Sequence, residues 1–146
     1  MAQDYEAGVF ELVREPLVPA QVEERVQHPA CGACVCFTGS TREENRGKRV
    51  VRLEYEAFEK MTGPEMARIF ARCRAEQPDA RLRMLVAHRV GVVEVGQPSV
   101  VIAVASPHRA QAFAAARFLI DELKRTLPVW KKEIYADGEH WIGERS

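Results

Sequence analysis

Apolar and polar residues alternate in several stretches of the chain, and this period of two predicts β-strands. The clearest case is 50–58, where the apolar side chains at alternate positions are expected on one buried face. These residues are Val51, Leu53, Tyr55 and Ala57. Other strands are predicted at 8–13, 33–39, 82–95 with a break at Gly91, and 99–106. The strand at 33–39 is expected to be buried, and the most hydrophobic one, 99–106, to be central.

Two longer stretches place apolar residues three and four positions apart, which is the spacing of one helix face. These helices are predicted at 63–78 and 109–126, and a short one at 19–27. The expected buried positions are Met66, Ile69, Phe70 and Cys73 in the first, and Phe113, Ala116, Ile120, Leu123 and Leu127 along the second. Pro128 stops the long helix, and the tail is expected to form a strand, an Asp-Gly turn and a returning strand.

These elements predict an α+β fold with a mostly antiparallel or mixed sheet. The 146 residues fit one domain, 1–146, in which 1–28 form a weakly defined N-terminal strand and helix. The hydrophobic fraction of 47% and the charged fraction of 29% are ordinary for a globular protein. No apolar run has the length of a membrane span, and the start MAQDYEAGVF does not resemble a secretory signal. A cytoplasmic protein that binds no membrane is therefore expected.

Charge limits the kinds of partner. The 21 Lys and Arg residues balance the 21 Asp and Glu residues, which gives a formal net charge of zero. Proteins that bind nucleic acid over a wide surface carry an excess of positive charge, so no nucleic-acid partner is expected and a small RNA-binding domain is a poor alternative. Any recognition of an anion must be local.

The cysteines raise the question of a metal site. The stretch HPACGACVC contains Cys31, Cys34 and Cys36, and Cys-x-x-Cys can form a metal knuckle. A structural zinc site also needs a second pair of ligands, and only Cys73 remains to supply one. The alternative is that all four are free thiols that pack as small apolar side chains. We therefore expect neither a metal nor a cofactor.

Three stretches concentrate cations that could bind an anion. In SPHRAQAF, residues 106–113, His108 and Arg109 stand where backbone N–H groups at a helix start already favour an anion. The alternative is a capping histidine and a solvated arginine. In FTGSTREENRGKR, residues 37–49, arginines and lysines lie among glutamates in a long loop predicted at 40–49. Such a loop is either solvated or a home for binding residues.

The third stretch is LKRTLPVWKKEIY, residues 123–135, which contains Lys124, Arg125, Lys131 and Lys132. Cations at a helix end are ordinary because they suit the helix dipole. That explanation does not cover the two lysines after the proline. There the chain turns, so Lys131 can return near Lys124, with Val129 and Trp130 as an apolar wall. Clustered lysines lower each other's pKa, and such a lysine can act as a nucleophile or proton donor near neutral pH.

His108 and Lys124 lie at opposite ends of one predicted helix. Sixteen residues at about 1.5 Å each separate them by roughly 24 Å. They cannot both contact one small substrate within a monomer. A site that uses both must be shared between two chains, most simply in a C2 dimer.

Several of these stretches occur in an order and spacing that resemble the family of molybdopterin synthase catalytic (large) subunits, known as MoaE. They are FTGSTREENRGK, LEYEAF, HRVG, IAVASPHR, LIDELKRTLPVWKKEIY and a late Trp, and the resemblance covers about residues 30–142. It implies an α/β hammerhead with an additional sheet. It also implies an enzyme that transfers sulfur from the C-terminal thiocarboxylate of a small ubiquitin-like subunit to cyclic pyranopterin monophosphate (precursor Z), forming molybdopterin. Two large subunits would form a homodimer, with one small subunit at each end of a heterotetramer.

The resemblance also implies roles for particular residues. The residues implied to bind substrate are Phe37, Ser40, Thr41, Arg42, His108, Arg109, Lys132 and Glu133, with His108 and Arg109 supplied by the other protomer. Lys124 would meet the thiocarboxylate, and Lys131 would be the second active-site lysine. The chain departs from the family pattern at Ser40, Glu43, Glu44 and Pro107. The alternative is a non-catalytic paralogue that binds an acidic or Gly-Gly-ended protein tail.

Overall fold

The structure, a computed structural model, describes residues 3–143 and contains helices packed on two β-sheets. The helices are α1 (Pro19–Val26), α2 (Glu59–Glu76) and α3 (Arg109–Thr126). The strands are β1 (Val9–Val13), β2 (Ala33–Ser40), β3 (Glu44–Asn45), β4 (Lys48–Ala57), β5 (Arg83–Arg89), β6 (Gly91–Glu94), β7 (Pro98–Ser106), β8 (Val129–Tyr135) and β9 (His140–Gly143). The predicted α+β class is confirmed.

The first sheet has the strand order β1-β5-β7-β2. β1 runs parallel to β5, and the other pairs are antiparallel. β7 lies in the interior and is buried along almost its whole length, as its hydrophobicity predicts. β2 lies at the edge and is only half-buried, so the expectation of a buried strand at 33–39 is wrong. Its position at the edge leaves one side of the strand without a partner strand.

The second sheet is built around β4, which pairs with β3, β6 and β8, and β9 adds to β8. The tail forms the predicted hairpin, and Gly138 takes the positive φ of 86° that its turn requires. The break predicted at Gly91 is also present, because β5 ends at Arg89 and β6 starts at Gly91. The two halves of 82–95 thus belong to different sheets.

Two hydrophobic clusters hold the helices on the first sheet. The larger one joins one face of the sheet to α2, α3 and the second sheet; its members include Met66, Ile69, Phe70, Cys73, Met84, Val86, Ile102, Val104, Leu119 and Leu123. The smaller one packs α1 on the opposite face; it includes Leu17, Val22, Val26, Leu85, Ala87, Val101 and Ala103. Each large apolar side chain buried in this way contributes about 1.5–3 kcal/mol to folding.

Two predicted buried positions are exposed instead. On β4, Val50 is 3% exposed and Val51 is 41% exposed, because the register with β8 shifts between Val50 and Arg52 and changes which residue faces inward. On α3, Phe113 is 62% exposed, while Ala112 and its neighbours on that face are buried. The helix therefore turns small alanines toward the sheet and Phe113 toward solvent.

Two element boundaries also differ from the predictions. α2 begins at Glu59 rather than 63, so Pro64 lies inside the helix, where it removes one backbone donor near the N-terminus. The predicted loop at 40–49 contains the two-residue strand β3, and β4 already starts at Lys48. The loop is therefore a tight hairpin, closed by Arg46 at φ 55° and Gly47 at φ 75°.

Candidate active site

A cavity of about 270 Å³ opens at the end of β2, between the two sheets and the C-terminal end of α3. It is lined by Phe37, Gly39, Ser40, Thr41, Arg42, Glu44, Asn45, Val50, Leu53, Tyr55, Ser99, Val100, Lys124, Lys131 and Glu133. The fold thus brings together most of the residues singled out in the sequence. They come from segments more than 90 residues apart in the chain.

The wall contributed by β2 depends on a glycine. A Cβ added at Gly39 would stand 2.9 Å from Cγ1 of Val100 on the neighbouring strand β7, which is closer than such atoms pack. Gly39 and Phe37 lie two residues apart and so face the same side of the strand. Glycine lets β7 approach closely while Phe37 forms part of the cavity wall.

The loop that follows β2 is held by backbone hydrogen bonds to the turn between β6 and β7. The Thr41 N–H donates to the carbonyl of Gln97 over 3.1 Å, and the Gly96 N–H donates to the carbonyl of Thr41 over 2.9 Å. Thr41 is buried, and its hydroxyl oxygen has no partner within the described residues. Arg42 is exposed and projects at the cavity mouth. A tightly anchored backbone therefore holds a buried hydroxyl, unpaired within residues 3–143, in the cavity wall and places a cation at the cavity mouth.

Lys124 and Lys131 both line this cavity, as the turn at Pro128 predicts. Lys124 belongs to the last turn of α3, and Lys131 comes from β8. Lys124 is exposed along its side chain, and partial burial of its amine lowers its pKa below the usual lysine value; the charges of Lys131 and Arg42 lower this pKa further. The amine thus sits in a positive environment that favours both proton donation and the binding of an anion.

Glu133 is the buried carboxylate of the cavity, with 5% exposure. The Asn45 amide and the Tyr135 hydroxyl each donate to its Oε2 over 2.6 Å, and the Lys131 ammonium lies 3.7 Å from its Oε1. Burial acts to raise the pKa of Glu133, but these hydrogen bonds and the Lys131 charge together lower it. Glu133 therefore stays ionised and fixes the position of Lys131.

Other predicted site residues lie outside the cavity of this chain. Lys132 follows Lys131 on β8 and so points to the opposite face of the strand, where its register partners are Glu54 and Ile142. Trp130 is on that outward face too, with 37% exposure, so the expected apolar wall of the pocket is wrong for Trp130.

His108 and Arg109 are exposed at the N-terminal end of α3, at the opposite end from Lys124. The His108 side chain makes no capping hydrogen bond, so the alternative of a capping histidine is wrong. The Ser106 hydroxyl instead donates to the His108 carbonyl over 2.5 Å. A single chain therefore offers two separate groups of cations.

Several residues that form or support the cavity were missed by the sequence reasoning. Asn45 and Tyr135 act on Glu133, while Tyr55 and Ser99 form part of the cavity wall. Alternation predicted that Tyr55 is buried on β4, but not which side chains it meets. No local signal marks Asn45, because its partner lies 88 residues away in the chain.

The cysteines lie away from the cavity. Cys31, Cys34 and Cys36 pack against the smaller hydrophobic cluster, and all four cysteines are free thiols. Burial raises the pKa of Cys34 to about 11 and that of Cys73 to about 12. Within residues 3–143, no three His, Cys, Asp or Glu side chains are grouped in a way that could hold a metal ion.

Fold and cavity together define a class: a small α+β protein with a cation-lined pocket, in which lysines from a helix end and a strand are set to act on an anionic group. Residues 12–126 match the family model described as MoaE protein. The chain belongs to the MoaE family.

Relatives in bacteria and animals support this assignment. The molybdopterin synthase catalytic subunit of Bacillus subtilis is 41% identical over 136 residues, which cover 93% of this chain and 85% of that protein. The subunit of the same name from Taeniopygia guttata is 42% identical over 139 residues, covering 95% of this chain and 89% of that one. The chain is thus similar to these proteins over nearly its whole length.

Solved structures agree with the fold. The structure described as molybdopterin synthase from Staphylococcus aureus matches with a TM-score of 0.83 at 35% identity, covering 92% of this chain and 96% of that one. The molybdopterin biosynthesis MoaE protein from Burkholderia ambifaria matches with a TM-score of 0.76 at 30% identity, covering 95% and 91%. None of the helices within residues 3–143 is long and apolar enough to cross a membrane.

Proposed function

We propose that this chain is the catalytic subunit of a molybdopterin synthase. It transfers sulfur from the C-terminal thiocarboxylate of a small ubiquitin-like subunit to cyclic pyranopterin monophosphate. The observation that carries this proposal is the convergence of Lys124, Lys131 and Arg42 on one cavity. These cations suit a thiocarboxylate and a phosphate, both of which are anions.

In this proposal the two lysines divide the work. Lys124 contacts the thiocarboxylate as its sulfur attacks the precursor, and its lowered pKa makes it a better proton donor than an ordinary lysine. Lys131, held by Glu133, stabilises the negative charge that develops as the cyclic phosphate opens. Phe37, Ser40, Thr41 and Arg42 shape the mouth at which the precursor binds.

The substrate site is completed by a second copy of this chain. His108 and Arg109 of that copy bind the phosphate and pterin, while Lys132 projects from the opposite face of β8 and lies outside the cavity. The exposed Phe113 supports a dimer, since it lines an apolar groove of about 490 Å³ together with Val35, Phe37, Ile120 and Lys124. A homodimer with one small subunit on each copy gives the heterotetramer. The free thiols suit a reducing compartment, and the proposal includes a cytoplasmic location.

Reconstitution tests this function. The chain is mixed with precursor Z and a thiocarboxylated small subunit, and molybdopterin is measured as its fluorescent oxidised derivative. We expect product in the wild type and a loss of about 100-fold or more in Lys124→Ala, with small-subunit binding retained. The matched control is Arg125→Ala, which removes the next cation, one that pairs with Glu122 at the surface. Full turnover in Lys124→Ala would refute the assignment.

The alternative from another class is a binding protein that captures an acidic or Gly-Gly-ended tail without chemistry. The same cations favour such a tail, so binding alone does not separate the two functions. Absence of product from the wild type, despite a stable complex with the small subunit, would establish the alternative. Loss of that complex in Lys124→Ala would then show that the lysine holds the tail.

A further inference from the structure

His88 is a buried histidine that the proposed chemistry does not use. It lies on β5 with 0% exposure and pairs with Val100 of β7, which in turn pairs with Gly39 of β2. Residues opposite each other in an antiparallel ladder project to the same face, so these three form one row. Gly39 and Val100 line the cavity. His88 therefore lies on β5, the strand next to the cavity-lining residue Val100 of β7.

The hydrogen bonding of His88 fixes its tautomer. Its Nδ1 lies 2.8 Å from the carbonyl oxygen of Arg89, and a carbonyl can only accept. The neutral ring therefore carries its proton on Nδ1, and Nε2 is left as an acceptor. This Nε2 is buried and has no partner within the described residues. A buried acceptor without a donor costs free energy that a phenylalanine in the same place would avoid, so packing alone does not explain the histidine.

The groups around His88 connect it to the cavity. From β4, the ring of Tyr55 packs edge-on at 5.2 Å between centroids, and Tyr55 lines the cavity. From α3, the charge of Lys124 acts on the imidazole; from β8, Glu133 acts on Tyr55. Burial lowers the pKa of His88 to about 4, the Arg89 carbonyl opposes this, and Lys124 lowers it further. His88 is thus neutral at physiological pH.

We propose that His88 is a positioning residue for Lys124, whose amine is linked to the buried Nε2 across one bridging water molecule. The inference rests on the proposed role of Lys124. A carboxylate in this place would also orient the amine, but it would raise the lysine pKa strongly and weaken it as a proton donor. A neutral imidazole orients the amine with a smaller effect. This accounts for an acceptor that is both buried and uncharged.

Two substitutions at one position test the proposal. His88→Phe keeps an aromatic ring beside Tyr55 and removes the acceptor, whereas His88→Gln keeps an acceptor in its amide. We expect kcat to fall about tenfold or more in His88→Phe with KM changed less than about threefold, and His88→Gln to recover most of the activity. The matched control is His28→Phe, the same change at a histidine in the turn before β2, where its ring bonds to the backbone of Ala30.

The pKa of Lys124 separates positioning from packing. A hydrogen bond to the ammonium favours its charged form, so its loss in His88→Phe lowers the lysine pKa further, which an NMR titration of the folded protein measures. Equal loss of activity in His88→Phe and His88→Gln, with the Lys124 titration unchanged in both, would overturn the proposal. Unchanged activity in His88→Phe would overturn it as well.

A third measurement applies even where His88→Phe does not fold. The ¹⁵N resonance of His88 Nε2 is measured in the wild type and in two variants. Relative to the wild type, the resonance should shift in Lys124→Ala and stay in place in Arg125→Ala. An identical resonance in all three proteins would overturn the pairing. This measurement needs no substrate, so it is independent of the proposed function. If the wild type makes no molybdopterin but the Nε2 resonance still shifts in Lys124→Ala, the proposed function is refuted and the His88–Lys124 pair is supported.

Discussion

Lys124 and Lys131 approach one cavity from different elements, and the charge of Lys131 lowers the pKa of Lys124. A like charge lowers a lysine pKa, so removing Lys131 must raise that of Lys124 toward its ordinary value. In Lys131→Gln we therefore expect the NMR titration of Lys124 to move to higher pH. The control is Lys132→Gln, one residue on and on the opposite face of β8. Equal shifts in both variants would show that only net charge matters.

His88 also predicts how stability depends on pH. The unfolded chain takes up this proton near pH 6.5, while the folded chain does so near 4. Because the unfolded state binds more protons between these values, the stabilising contribution is complete above pH 6.5 and is lost as the pH falls toward 4. The full effect is about 3 kcal/mol. Denaturant unfolding at pH 7 and 4.5 should show a smaller difference in His88→Phe than in the wild type, and equal differences would contradict the burial of a neutral imidazole.

At the scale of elements, the close contact of β2 and β7 at Gly39 shapes the cavity. Gly39→Ala adds a methyl group 2.9 Å from Val100, so we expect a loss of about 1–3 kcal/mol in the free energy of unfolding and reduced turnover. Val100→Ala in the same protein removes the atom that clashes. Urea unfolding of both single variants and the double variant measures the coupling. Strictly additive losses would show that the strands separate freely at this point.

Most elements could be predicted from periodicity, and the exceptions have physical causes. Alternation cannot reveal the register shift that exposes Val51, because a bulge changes the phase without changing the composition. Helical spacing predicted that Phe113 is buried, yet the buried residues next to it on α3 are Ala112, Ala115 and Ala116, and Phe113 faces solvent. The lysines could be found because Pro128 forces a turn, whereas the Asn45–Glu133 bond depends on tertiary contact.

At the scale of the whole molecule, the cations of one chain lie in two groups at opposite ends of α3. If each site combines Lys124 of one copy with Arg109 of the other, two inactive variants can complement each other. Mixed dimers of Lys124→Ala and Arg109→Ala contain one intact site and one doubly altered site. Unfolding and refolding an equal mixture should restore about one quarter of the wild-type activity, since half of the dimers are mixed. No recovery, with mixed dimers present by mass spectrometry, would place each site within a single chain.

The length of α3 then becomes a fixed dimension of the assembly. Arg109 begins this helix, and Lys124 lies in its last turn. Adding or deleting a single residue between them would rotate one end against the other by about 100° and shift it by about 1.5 Å. The cations at each end of α3 would remain, but the two ends would no longer be aligned with each other. Insertions and deletions are therefore expected in the loops of this chain and not in α3. The length of α3 sets the distance between the two catalytic centres of the dimer.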